Sequence, residues 1–287
     1  MIPAQNIVAW GNVVPWSEQR QVEQDLIISR AIIAIFSDPF LRAELRFRGG
    51  TALNKLHFPA PLRYSEDIDL VRTSAGPIGP VFDALRAVLE PWLGHAQFDL
   101  SPVAPKLRFR AEAEDGSGVM RLKVEINTHE IEAFDSPFNV ALSVENPWFT
   151  RKSQVATFSP EEILATKLRA LLQRDKGRDL YDLDHALETF ADLDTARTAG
   201  FFGRYLDRSS QTITRAQAQE RMFAKLANPR FLIDMKPLLP AAQAELLTAE
   251  STKESFTRVF DNFIDRIPGE PWARTEEMKQ RFGLGGR

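Results

Sequence analysis

Cysteine is absent from all 287 residues, so neither disulfides nor thiolate metal sites are available, and a reducing cytoplasm suits the chain. Long apolar runs are missing too. The strongest, Ala31 to Phe36, falls far short of the ~20 residues that cross a bilayer, and the N-terminus lacks the basic start of a signal peptide. No membrane association is expected. The absence of G-x-x-x-x-G-K-[ST] argues against a P-loop NTPase, and the absence of G-x-S-x-G against the usual serine hydrolase. His57, His95, His129 and His185 are scattered and form no H-E-x-x-H; His57, between Leu56 and Phe58, reads as structural. The terminal Gly283-Leu284-Gly285-Gly286 has no helix after it and is no dinucleotide fingerprint. A net charge of −3 gives no overall basic coat, leaving a local basic groove as the route to nucleic acid.

What is present is concentrated in Phe47-Arg48-Gly49-Gly50-Thr51-Ala52-Leu53 and Arg63-Tyr64-Ser65-Glu66-Asp67-Ile68-Asp69-Leu70. Side chains two apart on a strand leave the same face, so Asp67 and Asp69 project together while Ile68 and Leu70 enter a core. Neighbouring carboxylates repel unless a cation lies between them. A divalent metal is the economical explanation, and the double glycine supplies backbone N–H groups suited to a phosphate.

With 44% hydrophobic and 26% charged residues, the chain has the composition of a globular protein. Apolar spacing predicts helices over 17–36, 51–56 and 80–93 and strands over 45–48, 66–71, 106–110 and 120–127. From Ser159 onward leucine, phenylalanine and alanine recur at helical spacing, with helices expected over 160–173, 179–190, 213–227, 239–248, 253–265 and 271–281. The expected fold class is α+β. Residues 1–157 form a mixed twisted sheet flanked by helices, and residues 158–287 are all helical.

Two strands alternate cleanly. Lys106, Arg108 and Arg110 flank Leu107 and Phe109; Arg121, Lys123, Glu125 and Asn127 alternate with Met120, Leu122, Val124 and Ile126. If they share the sheet of Asp67 and Asp69, Glu125 becomes a third carboxylate, ringed by Lys123, Arg121 and Arg108. A solvated sheet face would give the same pattern.

Ser159-Pro160-Glu161-Glu162 is a strong helix start, and Lys167 falls inside the apolar stripe that follows. There it either snorkels to the edge or reaches into a cleft to meet an anion. From Lys167 to Arg178 the chain carries five basic residues, among them Arg174 and Lys176, against the single acid Asp175. That density suits phosphate contacts and suits an ordinary solvated turn equally. Gly177 reads as a helix end, with Asp179 and Asp182 as N-cap and N3 of the next helix or as functional acids.

Together the Gly49-Gly50-Thr51-Ala52-Leu53 turn, the Ser65-Glu66-Asp67-Ile68-Asp69-Leu70 strand, Lys167 and Arg178-Asp179-Leu180-Tyr181-Asp182 resemble the AbiEii-type nucleotidyltransferase toxins of the polymerase-β-like superfamily. The D-x-D alone would be weak, but its combination with the glycine pair and R-D-L-Y-D-L is specific. The loop from Gly50 to Asp67 is longer than in the compact superfamily members, and Glu125 rests on strand alternation rather than on a motif.

The resemblance implies a nucleotidyltransferase core over 1–157 and a helical domain over 158–287 completing the NTP and acceptor cleft. It implies transfer of a nucleoside monophosphate from an NTP to an RNA acceptor, commonly the tRNA 3′ end, with a cognate antitoxin as partner. Asp67, Asp69 and Glu125 would hold two Mg²⁺ ions; Gly49, Gly50, Thr51 and Ser65 would cradle the triphosphate; Lys167 would neutralise its outer oxygens, and Asp179 would orient the lysine or contact the acceptor. Arg108, Arg110, Arg121, Lys123, Arg174, Lys176 and Arg178 would meet the RNA. Two alternatives stay open: transfer to a small-molecule or protein hydroxyl, and a non-catalytic module that only binds nucleotide or RNA.

Overall fold

Every second side chain of Val119–Asn127 is buried, and this strand lies inside a sheet whose two faces differ sharply. The structure is a computed structural model; it describes residues 2–284 apart from 100, 102 and 103, and the backbone alone of residue 232. Gly285 and Gly286 lie outside the described residues. The chain separates into two compact units, Met1–Ser159 and Pro160–Arg287.

The strands of the first unit are β1 (Leu45–Arg48), β2 (Asp67–Arg72), β3 (Gln97–Asp99), β4 (Lys106–Glu112), β5 (Val119–Asn127), β6 (Phe138–Asn146) and β7 (Phe149–Thr157). They form one mixed sheet in the order β3-β4-β5-β2-β1-β7-β6. The pairs β2–β5 and β1–β7 are parallel and the others antiparallel. One face carries Phe47, Ile68, Leu70, Leu107, Phe109, Leu122, Val124 and Ile126, all buried. Helices α1 (Ala4–Gly11), α2 (Gln19–Ser37), α3 (Pro39–Glu44), α4 (Gly49–Ala52) and α5 (Gly79–Leu93) complete the unit. Of these, α2 packs against β7, β6, β5 and β2, and α5 against β4. Apolar burial on this scale is the main force holding sheet and helices together.

Thirteen of the 19 residues of α2 are buried, including Asp25. That carboxylate accepts from Trp10 Nε1 at 2.9 Å, Trp16 Nε1 at 3.1 Å and Lys55 Nζ at 2.7 Å. A buried charge is tolerable only when paired and hydrogen-bonded in this way.

The second unit is all helical: α6 (Pro160–Gln173), α7 (Gly177–Thr189), α8 (Thr195–Arg208), α9 (Arg215–Leu226), α10 (Pro229–Ile233), α11 (Ala241–Leu246), α12 (Ala249–Asn262) and α13 (Thr275–Phe282). Phe223 is its aromatic centre, with Phe256 and Phe260 at 5.7 and 5.3 Å between ring centroids.

Several elements depart from the sequence expectation. The β6–β7 hairpin is unannounced because half of its strand residues are exposed and only Val144, Asn146, Val155 and Thr157 are buried. Helix α8 is also unforeseen: Gly200 and Gly203 dilute a pattern that nevertheless buries Thr198, Ala199, Phe201, Phe202, Tyr205 and Leu206. Gly177 does not follow a helix as its stop; it is the first residue of α7, so Asp179 is N3 rather than the N-cap.

Candidate active site

The glycine turn follows β1 directly. Gly49 has φ +86°, a conformation that favours glycine, and a Cβ there would overlap the Asp69 carboxylate. Thr51 is 2% exposed and donates to the Asp67 carbonyl at 2.5 Å. Its single proton is thus committed, so in the 2.7 Å contact between the two hydroxyls Ser65 is the donor. Asn54, which the sequence patterns do not single out, ties down the long loop. Its amide donates to the Gly50 carbonyl at 2.8 Å while its oxygen accepts from the backbone N–H groups of Leu62 and Arg63 at 2.9 and 3.2 Å. Those donors lie eight and nine residues away, a pairing that only the folded loop reveals.

Strand register brings the predicted carboxylates onto one face. Asp69 is the partner of Glu125, Asp67 of Lys123, and Arg48 of Asp69. Lys123 Nζ lies 3.0 Å from Asp67 Oδ2 and 3.2 Å from Glu125 Oε2. Burial opposes the lysine charge, but the Asp67 and Glu125 carboxylates outweigh it and hold the Lys123 pKa above the ordinary value. Lys106 Nζ is 3.5 Å from the same Glu125 oxygen. Arg108, expected beside Glu125, instead pairs with Asp99 at 2.7 Å, and Lys106 takes its place. Arg48 forms an ion pair with Glu130. Arg110 and Arg121 face each other directly across β4 and β5, both exposed. Like charges in that arrangement repel, which an anion lying over them would relieve.

In the helical unit Lys167 neither snorkels nor faces open solvent. It is 6% exposed, with Nζ 2.8 Å from Asp182 Oδ2 and 3.3 Å from Asp179 Oδ1. Arg174 clasps Asp179 by Nε at 2.7 Å and Nη2 at 2.9 Å. Burial works against the Asp179 charge, yet Lys167 and Arg174 prevail and hold its pKa below the usual carboxylate value. Gly177 N–H donates to Asp234 Oδ1 at 2.9 Å, and a Cβ on Gly177 would come within 2.5 Å of both that oxygen and the Phe231 carbonyl. This close approach explains the glycine. Lys176 is exposed, and Arg178 is half-buried with its Nε lacking a hydrogen-bond partner. Lys225 Nζ donates to the Arg174 carbonyl at 2.9 Å, and Arg221 to the Leu172 carbonyl at 3.2 Å, capping the C-terminus of α6.

His57 is confirmed as a packed side chain. Burial lowers its pKa to about 4, keeping the imidazole neutral.

Hard oxygen donors from Asp67, Asp69 and Glu125 match the chemistry of a magnesium site. As the side chains stand, no three His, Cys, Asp or Glu groups among the described residues are disposed to hold a metal ion. The need for positive charge is nevertheless visible, because the Lys123 ammonium fills that role between two of the three carboxylates. The carboxylate face thus already carries one cation, the Lys123 ammonium.

The mixed sheet, with a glycine turn feeding a short helix next to a D-x-D strand, belongs to a fold shared with a solved nucleotidyltransferase. The structure is similar to MenT4, a nucleotidyltransferase toxin from Mycobacterium tuberculosis, with 15% identity, TM-score 0.55 and 99% of each chain covered. It is also similar to JHP933 from Helicobacter pylori, with 14% identity and TM-score 0.50 over 85% of this chain and 95% of that one. At such identities the likeness is one of fold. None of the curated proteins compared matches the chain. The family model "Nucleotidyl transferase AbiEii toxin, Type IV TA system" matches residues 30–269. The protein belongs to this family and is a nucleotidyltransferase toxin, which implies an NTP substrate and a cognate antitoxin. Among the described residues no helix is long and apolar enough to cross a membrane.

Proposed function

We propose that the protein transfers a nucleoside monophosphate from an NTP to an RNA hydroxyl, the 3′ end of tRNA, in the cytoplasm. The observation that carries this reading is the alignment of Asp67, Asp69 and Glu125 on one sheet face beside the Gly49 turn. The acceptor oxygen bonds to the α-phosphorus while the bond to the β-phosphate breaks, and pyrophosphate leaves. Such a reaction needs positioning and charge neutralisation more than covalent help.

Asp67, Asp69 and Glu125 would hold two Mg²⁺ ions, which when bound supply charge neutralisation and activation of the acceptor hydroxyl. Gly49, Gly50 and Thr51 offer first-turn backbone N–H groups to the triphosphate, and Ser65 offers its hydroxyl. Thr51 fixes the turn to β2 through its bond to Asp67. Asp179 and Asp182 hold the Lys167 ammonium, which serves phosphate oxygens. Arg110 and Arg121, facing one another on the carboxylate-bearing side of the sheet, support a polyanionic acceptor. Arg108, Lys123, Arg174, Lys176 and Arg178 complete the proposed RNA contacts.

Incubation of purified protein with labelled NTPs and, separately, tRNA, total protein or an aminoglycoside tests the reaction and its acceptor together. Labelled tRNA is expected, and Asp69→Ala is expected to abolish the label with circular dichroism unchanged. Undiminished labelling by that variant overturns the assignment of the site. Label on protein or aminoglycoside in place of RNA moves the acceptor to that class.

A further inference from the structure

The two edges of the seven-stranded sheet are not alike. At one end β3 has three residues, and its Asp99 is paired with Arg108 at 2.7 Å. Short length and charge blunt such an edge. At the other end β6 has nine residues, paired with β7 from Phe138–Thr157 to Asn146–Phe149 without a bulge. Pro137 and Pro147 stand just outside it, no proline lies within, and Glu145 is its only charged residue. Among the described residues, no group outside β7 hydrogen-bonds to the backbone of Phe138–Asn146. Alternate residues of an edge strand direct their N–H and C=O groups outward, so β6 offers an unblocked row to another strand.

The sequence of β6 suits pairing with itself. Antiparallel pairing over all nine residues has one register, centred on Leu142. It sets Phe138 against the partner's Asn146, Asn139 against the partner's Glu145, Val140 against the partner's Val144 and Ala141 against the partner's Ser143. The lone carboxylate then meets an amide that donates to it, not a second carboxylate. Small residues oppose small ones, and valine opposes valine. Thr157 shares the buried side of its partner Phe47, so Ala156 and its partner Asn139 lie on the carboxylate-bearing face, with Ala141, Ser143 and Glu145. Phe138, 38% exposed, lies on the helix-covered face. The register brings it to the end of the other strand where the Asn146 amide donates to the Asn6 carbonyl of α1 at 2.8 Å.

We propose that β6 is the contact between two copies of this chain, pairing antiparallel with its counterpart about a two-fold axis at Leu142. The axis is normal to the sheet, so the two seven-stranded sheets run on as one and both carboxylate faces open to the same side.

The test follows the full chain by sedimentation velocity over a concentration series, with circular dichroism checking the fold of each variant. A species of twice the 32.5 kDa of one chain is expected. Asn139→Glu sets carboxylate against carboxylate at two equivalent places and is expected to weaken the dimer about tenfold. Asn139→Lys supplies an opposite charge at the same places and is expected to tighten it about fivefold. Because the chain has no cysteine, Leu142→Cys places a single thiol at the axis. Directly opposed residues have Cα atoms about 4.5 or 5.5 Å apart, within disulfide range, so mild oxidation is expected to link two copies. Ala141→Cys, offset from its counterpart by two residues along the strand, is expected to stay unlinked. A chain that is monomeric throughout the series overturns the proposal. So does a dimer that both Asn139 variants leave equally tight and that Leu142→Cys fails to link, which moves the contact to another face. A thiol in Leu142→Cys that becomes shielded from modification only when an antitoxin is co-expressed assigns the edge to that protein and likewise overturns pairing between copies.

Discussion

Lys123 lies between Asp67 and Glu125 with about a third of each side chain in water, whereas Lys167 lies between Asp179 and Asp182, both wholly buried. The chemistry is the same, one ammonium and two carboxylates, but the surroundings are not. On the sheet, water can enter and another cation can replace the lysine at little cost, since exposed ion pairs contribute at most ~1 kcal/mol. Among the helices, Asp179 is also clasped by Arg174, and removing any partner strands a charge away from solvent. The exposed cluster can exchange its cation, while the buried one holds the Lys167 ammonium in a fixed position.

The contrast can be broken from either side. The largest effect expected is the loss of transfer in Asp69→Ala, about a thousandfold or more, with the thermal midpoint nearly unmoved. A midpoint that falls with the activity would place the sheet acids in the same structural class as the helical ones. Next, Asp179→Asn is expected to lower unfolding free energy by about 3 kcal/mol in a urea titration. A midpoint at the wild-type value would show that the buried cluster carries no structural weight.

Gly49→Ala ranks third. The positive φ and the overlap with Asp69 are expected to cost about 2 kcal/mol and to depress transfer further than stability alone explains. Activity that tracks stability in this variant would detach the turn from the carboxylates.

The smallest effect concerns pH. The folded His57 pKa, about 4, lies below the unfolded value, so His57 imposes no penalty above the unfolded pKa. Stability is lost as pH falls below it and continues to be lost down to the folded pKa, by about 2 kcal/mol between about pH 7 and about pH 5. Asp179 acts lower. Its depressed pKa gives stability that is present above the unfolded carboxylate value and lost as pH falls through the folded one. His57→Phe is therefore expected to flatten the upper part of the acid limb and leave the lower part intact, as read by unfolding at a series of pH values. An unchanged upper limb would mean that the imidazole is already protonated in the folded protein.

Much of this arrangement is legible in the chain because the relevant patterns are local. Alternation along β5 points Glu125 the same way as Lys123, and the spacing of Asp67 and Asp69 gives them a common side. Pairing between strands is not local. Nothing in Lys123 itself distinguishes a lysine that bridges Asp67 and Glu125 from one facing water, and only the parallel register of β2 and β5 decides it. The same holds for Asn54, whose partners become neighbours only once the loop closes, and for Lys167, whose burial depends on two acids a helix away. The β6–β7 hairpin escapes notice for a different reason: with so few buried side chains it has little periodicity to display.

Asp25 joins two indole N–H groups to Lys55, and Lys55 lies just past the helical turn that opens at Gly49. Lys55 is therefore placed to carry a shift of that turn to the Asp25 carboxylate and the two indoles bonded to it. The protein thereby possesses an intrinsic optical gauge of its own turn: tryptophan emission is expected to change on adding NTP, and to stop changing in Lys55→Met. A flat emission trace with bound NTP would show that the indoles are mechanically deaf to the loop they adjoin.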